Sequence, residues 1–233
     1  MAFERLRGRW ERLTAPLLEL FGWLQPNHLT WASLFAALAA ASIALRADRS
    51  SALPWLAVSA LMSLAFILDG LDGQLARKRG LASAAGDLLD HTLDRVVDVA
   101  LLVALGSNAS WFLHPELGAI LGWAAALATL LGSYMGTAAQ SVGLKRDYGG
   151  FSRADRSIVL MLGVLGAATQ SATQWPGIAG PSPFGGTLQW NSVSLSLTLC
   201  LIGGLATFVL RFRRSLRELT ETSDQSDFDG SER

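Results

Sequence analysis

A single cysteine in a chain of 233 residues excludes a good deal at once. Cys200 has no partner for an internal disulfide and cannot build a multi-thiolate metal site, so thiol redox chemistry drops out and the residue reads as packing within an apolar segment. Charge is also scarce, at 16% of residues, and 19 basic against 19 acidic side chains exert no net pull on a polyanion. Without a basic, aromatic-interleaved patch either, no nucleic acid is expected among the partners. The chain has no internal repeat. No cleavable signal peptide is expected, because Met1–Glu19 mixes Arg5, Arg7, Arg9 and Arg12 with Glu4, Glu11 and Glu19 and lacks a clean apolar core.

What the chain has in abundance is apolar surface: 51% of residues are hydrophobic and the mean hydropathy is +0.34, the composition of a membrane protein. Apolar runs of about 20 residues, the length a helix needs to cross hydrocarbon, fall near 28–46, 54–77, 82–106, 116–143, 156–173 and 190–211. Ahead of them Phe3, Leu6, Trp10, Leu13 and Leu17 recur at helical spacing with arginines between, the pattern of a helix lying on a membrane surface. A solvated helix packed on the other segments is the alternative. The predicted fold is an all-α integral membrane protein: an amphipathic juxtamembrane helix over 1–24, six transmembrane helices within 25–213, and a polar, disordered tail over 214–233. Lysine and arginine gather before the first run, after the second (Arg77, Lys78, Arg79), after the fourth (Lys145, Arg146, Arg153) and after the last (Arg211, Arg213, Arg214, Arg217), whereas the third and fifth connections carry none. Basic residues favour the cytoplasmic side, which puts both termini there in a multi-pass protein of the cell membrane, with Arg46 and Arg49 in the first connection as an exception.

Against that background the run FILDGLDGQLARKRGLASAAGDLLDHTLDRVVDV, residues 66–99, places Asp69, Asp72, Asp87, Asp90, Asp94 and Asp98 in segments that read as membrane-crossing. An ionised side chain in hydrocarbon costs several kcal/mol, so such residues line cavities, pair with cations or do chemistry. The short basic turn RKRGLAS makes the second and third segments an antiparallel hairpin. Asp72 and Asp90 are centred on residue 81, and Asp69 and Asp94 on 81.5, which sets the four at matching depth. Asp69 lies roughly 12 Å inside Arg77, within reach of the cytoplasm. Asp69, Gly73 and Ala76 form one stripe and Gly86, Asp90 and Asp94 another, at spacings of three to four residues. Four carboxylates at one level repel unless cations lie between them, and oxygen-only ligands suit Mg2+ or Mn2+ shared with substrate phosphates. A phosphate or diphosphate is the expected partner. Asp87 and Asp98 have a structural alternative, Asp98 by pairing with Arg95, and Gly73, Ala76 and Gly86 have one as small residues at a helix–helix contact. His91 reads as a polar neighbour rather than a ligand.

At these residues the sequence resembles the CDP-alcohol phosphotransferase family. The family signature D-x2-D-G-x2-A-R-x8-G-x3-D-x3-D is met without a gap by Asp69, Asp72, Gly73, Ala76, Arg77, Gly86, Asp90 and Asp94. The resemblance implies six transmembrane helices behind a surface N-terminal helix, usually in a homodimer. It also implies the attack of an alcohol on a CDP-linked lipid, such as CDP-diacylglycerol or CDP-archaeol, with release of CMP. By position, Asp69, Asp72, Asp90 and Asp94 would hold two divalent cations, Asp94 would take the proton of the attacking hydroxyl, and Arg77 would contact the diphosphate. Gly73 and Ala76 would leave room for the cytidine, with Asp69 and Gly86 in the same nucleotide site. An aspartate is a weak base at pH 7, so Asp94 needs help from the metal or from its neighbours. The Pro-Asn pair of QPNHLT resembles the family's opening of the first helix beside the nucleotide, which makes Asn27 a site residue or, equally, a helix N-cap.

The acceptor is read from GSYMGTAAQSVGLKRDYGGFSRADRSIVL. The paired arginines of SRADR resemble those near the start of the fifth helix in the inositol-phosphate-using branch of the family. Arg153 and Arg156, with Lys145 or Arg146, are therefore expected to bind a phosphorylated acceptor; the positive-inside bias would also account for these cations. The chain departs from that branch at Ser133–Gln140, uncharged here where a basic run is typical, and SYMGTAAQ with GLKRDYGG resembles archaeal members. Inositol phosphate is the expected acceptor, with glycerol 3-phosphate or serine as alternatives. Two readings of another class remain. A metal-dependent membrane prenyltransferase would show two separated acidic clusters, whereas here the acidic signal lies in one hairpin; a cation-binding transporter would show repeated halves or broken helices.

Overall fold

A computed structural model describes residues 16, 18, 19, 21, 23–145 and 149–231, and among residues 23–231 it has six α-helices and one small hairpin. The helices are α1 (Pro26–Arg46), α2 (Leu53–Lys78), α3 (Ala84–Gly106), α4 (Pro115–Ser141), α5 (Arg153–Thr173) and α6 (Ser192–Ser231). A 3-10 turn spans Ala109–Trp111, and strands β1 (Ile178–Pro181) and β2 (Thr187–Trp190) connect α5 to α6. Each helix coincides with one apolar run. Proline opens α1, α2 and α4, where its missing N–H costs nothing and its φ is already helical. Ser83 caps α3 by accepting from Gly86 N, and Ser152 and Asp155 form a capping box at α5.

Among the described residues four helices, α1, α2, α4 and α6 over Ser192–Glu221, are long and apolar enough to cross a membrane. Their outward faces show Trp31, Phe35, Leu56, Leu127, Leu199 and Ile202 to the surroundings, and helices apolar on both sides suit a lipid solvent. The other two helices carry charge within their apolar runs: Asp87, Asp90, Asp94, Arg95 and Asp98 on α3, Arg153, Asp155 and Arg156 on α5.

α1 packs against α2 and α3, α4 against α3 and α6, and α5 against α2 and α6. Close approach depends on small residues. Ala40 and Ala44 of α1 are fully buried, and a Cβ on Gly106 of α3 would lie 2.6 Å from backbone atoms of both Gly118 and Gly122 on α4, so only glycine fits there. At the end of α2 remote from the aspartates, Trp55 and Trp111 meet edge to face at 5.1 Å. Asn108 Nδ2 donates to Ala44 O at 2.6 Å and Ala47 O at 2.9 Å, satisfying carbonyls that the end of α1 leaves open.

Two stretches differ from the expectation. The fifth connection holds the β1–β2 hairpin, with Ile178 opposite Trp190 and Pro181 opposite Thr187. Gly185 and Gly186 supply positive φ at its turn, +86° and +76°, which other residues rarely adopt. The tail, expected to be disordered from 214, continues α6 to Ser231. Arg213–Glu221 has neither Gly nor Pro and spaces Arg214 from Glu218 and Arg217 from Glu221 by one helical turn, where opposite charges meet. Most of the amphipathic helix expected over 1–24 lies outside the described residues.

Candidate active site

The motif occupies the last turns of α2 and the first turns of α3. These two helices are not packed along one another among the described residues; α1 packs on both, and α5 on α2. The two arms of the expected hairpin, which carry the carboxylates near their joined ends, thus do not pack along one another. Like charges on the two helices oppose closure there, and Gly73, Ala76 and Gly86 are too small to bridge the gap. The result is a cavity of about 570 Å3, lined by Asn27 and Thr30 of α1, Asp72, Gly73, Ala76 and Arg77 of α2, and Gly86, Asp87 and Asp90 of α3. Of the nucleotide-site residues expected from the sequence, only Asp69 is missing from this lining. A Cβ on Gly73 would approach Arg77 Nη1 at 3.3 Å, and one on Gly86 would approach Ser83 Oγ at 3.3 Å, so neither glycine sits at a helix–helix contact. Both keep space open.

Asp72 is buried. Its Oδ2 accepts from Thr30 Oγ1 at 2.6 Å and its Oδ1 from the Gly73 N–H at 2.5 Å. Asp69 and Asp94 share one cation, for Arg153 Nη1 of α5 lies 2.5 Å from Asp69 Oδ2 and 2.8 Å from Asp94 Oδ1. Asp90 is more open, 3.8 Å from His91 Nδ1, and single ligand atoms of Asp90, His91 and Asp94 lie within 4.8 Å of one another. Asp69 repels Asp72, Asp90 and Asp94, and Asp90 repels Asp72 and Asp94. The four carboxylates therefore act as one electrostatic unit, and a donor set of carboxylate oxygens with one imidazole nearby fits a hard divalent cation. Asp98 takes the structural alternative. Arg156 Nη2 lies 2.6 Å and Arg95 Nη1 3.3 Å from its Oδ2, the partners a buried charge requires. Asp87 stands in the first turn of α3, where the helix dipole favours a carboxylate.

A second cavity, of about 150 Å3, lies among α3, α4, α5 and α6. Arg95, Arg153, Arg156 and Arg211 line it with Thr129, Ser133 and Thr207. Arg95 Nη1 donates to Ser133 Oγ at 2.5 Å, and Arg211 donates to the carbonyls of Gly132 and Gly149 at 2.7 and 3.0 Å. The Nε of Arg153, the Nε of Arg156 and Oγ1 of Thr129 are buried without a partner among the described residues. A buried polar group left unpaired costs about 1–3 kcal/mol, and the oxygens of one phosphate can satisfy several such donors together. Arg153 and Arg156, the two arginines of SRADR, both line this cavity. Lys145 is exposed and lines neither cavity, and Arg146 lies outside the described residues. Sequence reasoning missed Thr30, Ser133, Arg95 and Arg211 as cavity residues. Thr30 follows Asn27 by one helical turn, a usable signal; the others converge from three separate helices and belong to no local pattern.

The family model described as CDP-alcohol phosphatidyltransferase matches residues 23–208, and the chain belongs to that family. It is 30% identical over 216 residues to the phosphatidylinositol phosphate synthase of Cutibacterium acnes, covering 89% of this chain and 94% of that one. With the archaetidylinositol phosphate synthase of Methanothermobacter thermautotrophicus it shares 35% identity over 107 residues, 46% of this chain and 52% of that one. Its fold is that of the Mycobacterium tuberculosis phosphatidylinositol phosphate synthase PgsA1. With CDP-DAG bound, that crystal structure gives a TM-score of 0.65 at 24% identity, covering 88% of this chain and 94% of that one. In complex with manganese and citrate the values are 0.64 and 23%, over 89% and 88%. The protein is a multi-pass membrane protein of this family.

Proposed function

We propose that the protein transfers the phosphatidyl-type group of a CDP-linked lipid to inositol phosphate, releasing CMP, at the cytoplasmic side of the cell membrane. The observation that carries this reading is a pair of unlike cavities tied to one carboxylate cluster: the larger, about 570 Å3, is lined by Asp72 and Asp90 of the motif, and the smaller, about 150 Å3 and rich in arginine, is lined by Arg153, which is ion-paired with Asp69 and Asp94. The larger falls within the range of small-molecule sites. A phosphorus atom held between them would have its leaving nucleotide on one side and an incoming hydroxyl on the other, as in-line transfer requires.

Asp69, Asp72, Asp90 and Asp94 would hold two divalent cations, Mg2+ or Mn2+. When bound, such ions supply Lewis-acid stabilisation of the diphosphate and of the departing CMP. Thr30 and the Gly73 N–H keep the Asp72 carboxylate oriented. Asn27, Gly73, Ala76 and Gly86 shape the cytidine site, and Arg77 gives charge-assisted hydrogen bonds to the diphosphate. Asp94 accepts the proton of the attacking hydroxyl. Arg153 and Arg156, joined by Arg95 and Arg211, hold the acceptor's phosphate and so orient that hydroxyl. Lys145 and Arg146 serve the positive-inside bias. The likeness to the Cutibacterium phosphatidylinositol phosphate synthase and the Methanothermobacter archaetidylinositol phosphate synthase supports the acceptor. The distribution of basic residues supports six crossings with cytoplasmic termini, and the family resemblance supports a homodimer embedded in membrane lipid.

The test is CMP release from CDP-diacylglycerol or CDP-archaeol, with Mg2+ or Mn2+, in the presence of inositol 1-phosphate, glycerol 3-phosphate or serine. Inositol 1-phosphate should release CMP fastest, and Asp90→Asn should abolish release. Faster turnover with glycerol 3-phosphate would reassign the acceptor. Absence of CMP with every acceptor would overturn the reaction.

A further inference from the structure

Arg153 stands between two kinds of partner. Its Nη1 lies 2.5 Å from Asp69 and 2.8 Å from Asp94, while the same side chain lines the small cavity and keeps its Nε buried without a partner among the described residues. Asp69 and Asp94 are also two of the carboxylates assigned above to divalent cations. A guanidinium and a divalent ion therefore compete for the same oxygens. Coulomb attraction scales with charge, so the doubly charged ion prevails. The displaced guanidinium has a place already built to receive it, beside Arg156. Arg156 cannot make the same exchange, because its Nη2 is held 2.6 Å from Asp98, which lies outside the motif. One more free cation in a cavity that already holds others favours an anion there.

We propose that Arg153 is an exchangeable counter-ion: divalent-cation binding at the carboxylates releases it to the small cavity, so that cation binding and phosphate binding reinforce each other. This rests on the acceptor reading above and adds that the two sites load together through a positioning residue. Linkage makes the coupling reciprocal, and a typical coupling is worth about tenfold in affinity.

The test measures Mn2+ affinity of the purified full-length protein by the electron paramagnetic resonance signal of free Mn2+, with and without inorganic phosphate, alongside equilibrium dialysis of labelled phosphate. In the wild type, phosphate should tighten Mn2+ binding about tenfold. Arg153→Gln should bind Mn2+ about tenfold more tightly with no phosphate present, and phosphate should add nothing further. Arg156→Gln removes the same charge from the same cavity and should leave Mn2+ affinity within about twofold of wild type, since its partner is Asp98. Arg153→Lys keeps the charge and should stay close to wild type. Equal tightening in Arg153→Gln and Arg156→Gln would reduce the effect to net charge and overturn the exchange. Phosphate coupling that persists in Arg153→Gln would do the same, because phosphate would then be ligating the metal itself. Phosphate retained in dialysis but without effect on wild-type Mn2+ affinity sinks the exchange alone, whereas no retained phosphate sinks the acceptor reading and the exchange with it. Should Arg153→Gln not purify as a single species, Arg153→Met takes its place, with the same expected and overturning results.

Discussion

The larger cavity draws most of its lining from the single stretch 72–90, with Asn27 and Thr30 of α1 added, whereas the smaller takes Arg95 from α3, Ser133 from α4, Arg153 and Arg156 from α5 and Arg211 from α6. The first is therefore written largely in one stretch of the chain and depends mainly on it. The second exists only once four helices have packed, and its chemistry is a sum of distant choices. Donor recognition and acceptor recognition are thus set by different kinds of sequence change in the proposed reaction.

The largest expected effect falls on the wall of the smaller cavity. Asp98→Ala leaves Arg156 buried without its carboxylate and should cost about 3–5 kcal/mol of stability, while the pair Asp98→Leu with Arg156→Met should restore most of it. Thermal unfolding of the detergent-solubilised protein measures both; equal melting temperatures for Asp98→Ala and wild type would show that the pair bears no load. Next, Asp72→Asn in the larger cavity should lower CMP release by roughly a hundredfold, about 3 kcal/mol of transition-state stabilisation, without changing the melting temperature much. A third pair of variants separates the cavities. Arg95→Ala should raise the KM for a phosphorylated acceptor about tenfold and leave that for the CDP-lipid alone, and Ala76→Phe should do the reverse, each by about the worth of one charged contact or one filled subsite. If both variants moved both constants together, the two cavities would be one site. Smallest is Thr30→Val, which removes one hydrogen bond to Asp72 and should cost about 1 kcal/mol in kcat/KM, roughly fivefold. Thr30→Ser should recover it.

Much of this was legible in the sequence. Apolar runs of membrane length located the six helices among the described residues, of which four are long and apolar enough to cross a membrane. The carboxylate quartet was legible because Asp69, Asp72, Asp90 and Asp94 are fixed by helical spacing and symmetric about one turn. What spacing could not reveal was how far apart the two helices stand. That depends on repulsion between them and on α1 packing against both. Arg95 was legible as a partner of Asp98 and not as a cavity residue, because its contact with Ser133 spans 38 residues. The β1–β2 hairpin escaped because its strands of four residues each are too short for a periodic signal. The helical continuation past 211 escaped because low hydropathy was read as disorder, although Arg and Glu at helical spacing favour a helix.

The account turns on divalent cations held by the carboxylates of α2 and α3. An anomalous difference map collected at the manganese edge from crystals grown with Mn2+ tests it most directly. Peaks within coordination distance of Asp69, Asp72, Asp90 and Asp94, with Arg153 withdrawn from Asp69, are the expected result. Manganese bound elsewhere, or no peak there with the four carboxylates still clustered around Arg153, would contradict it.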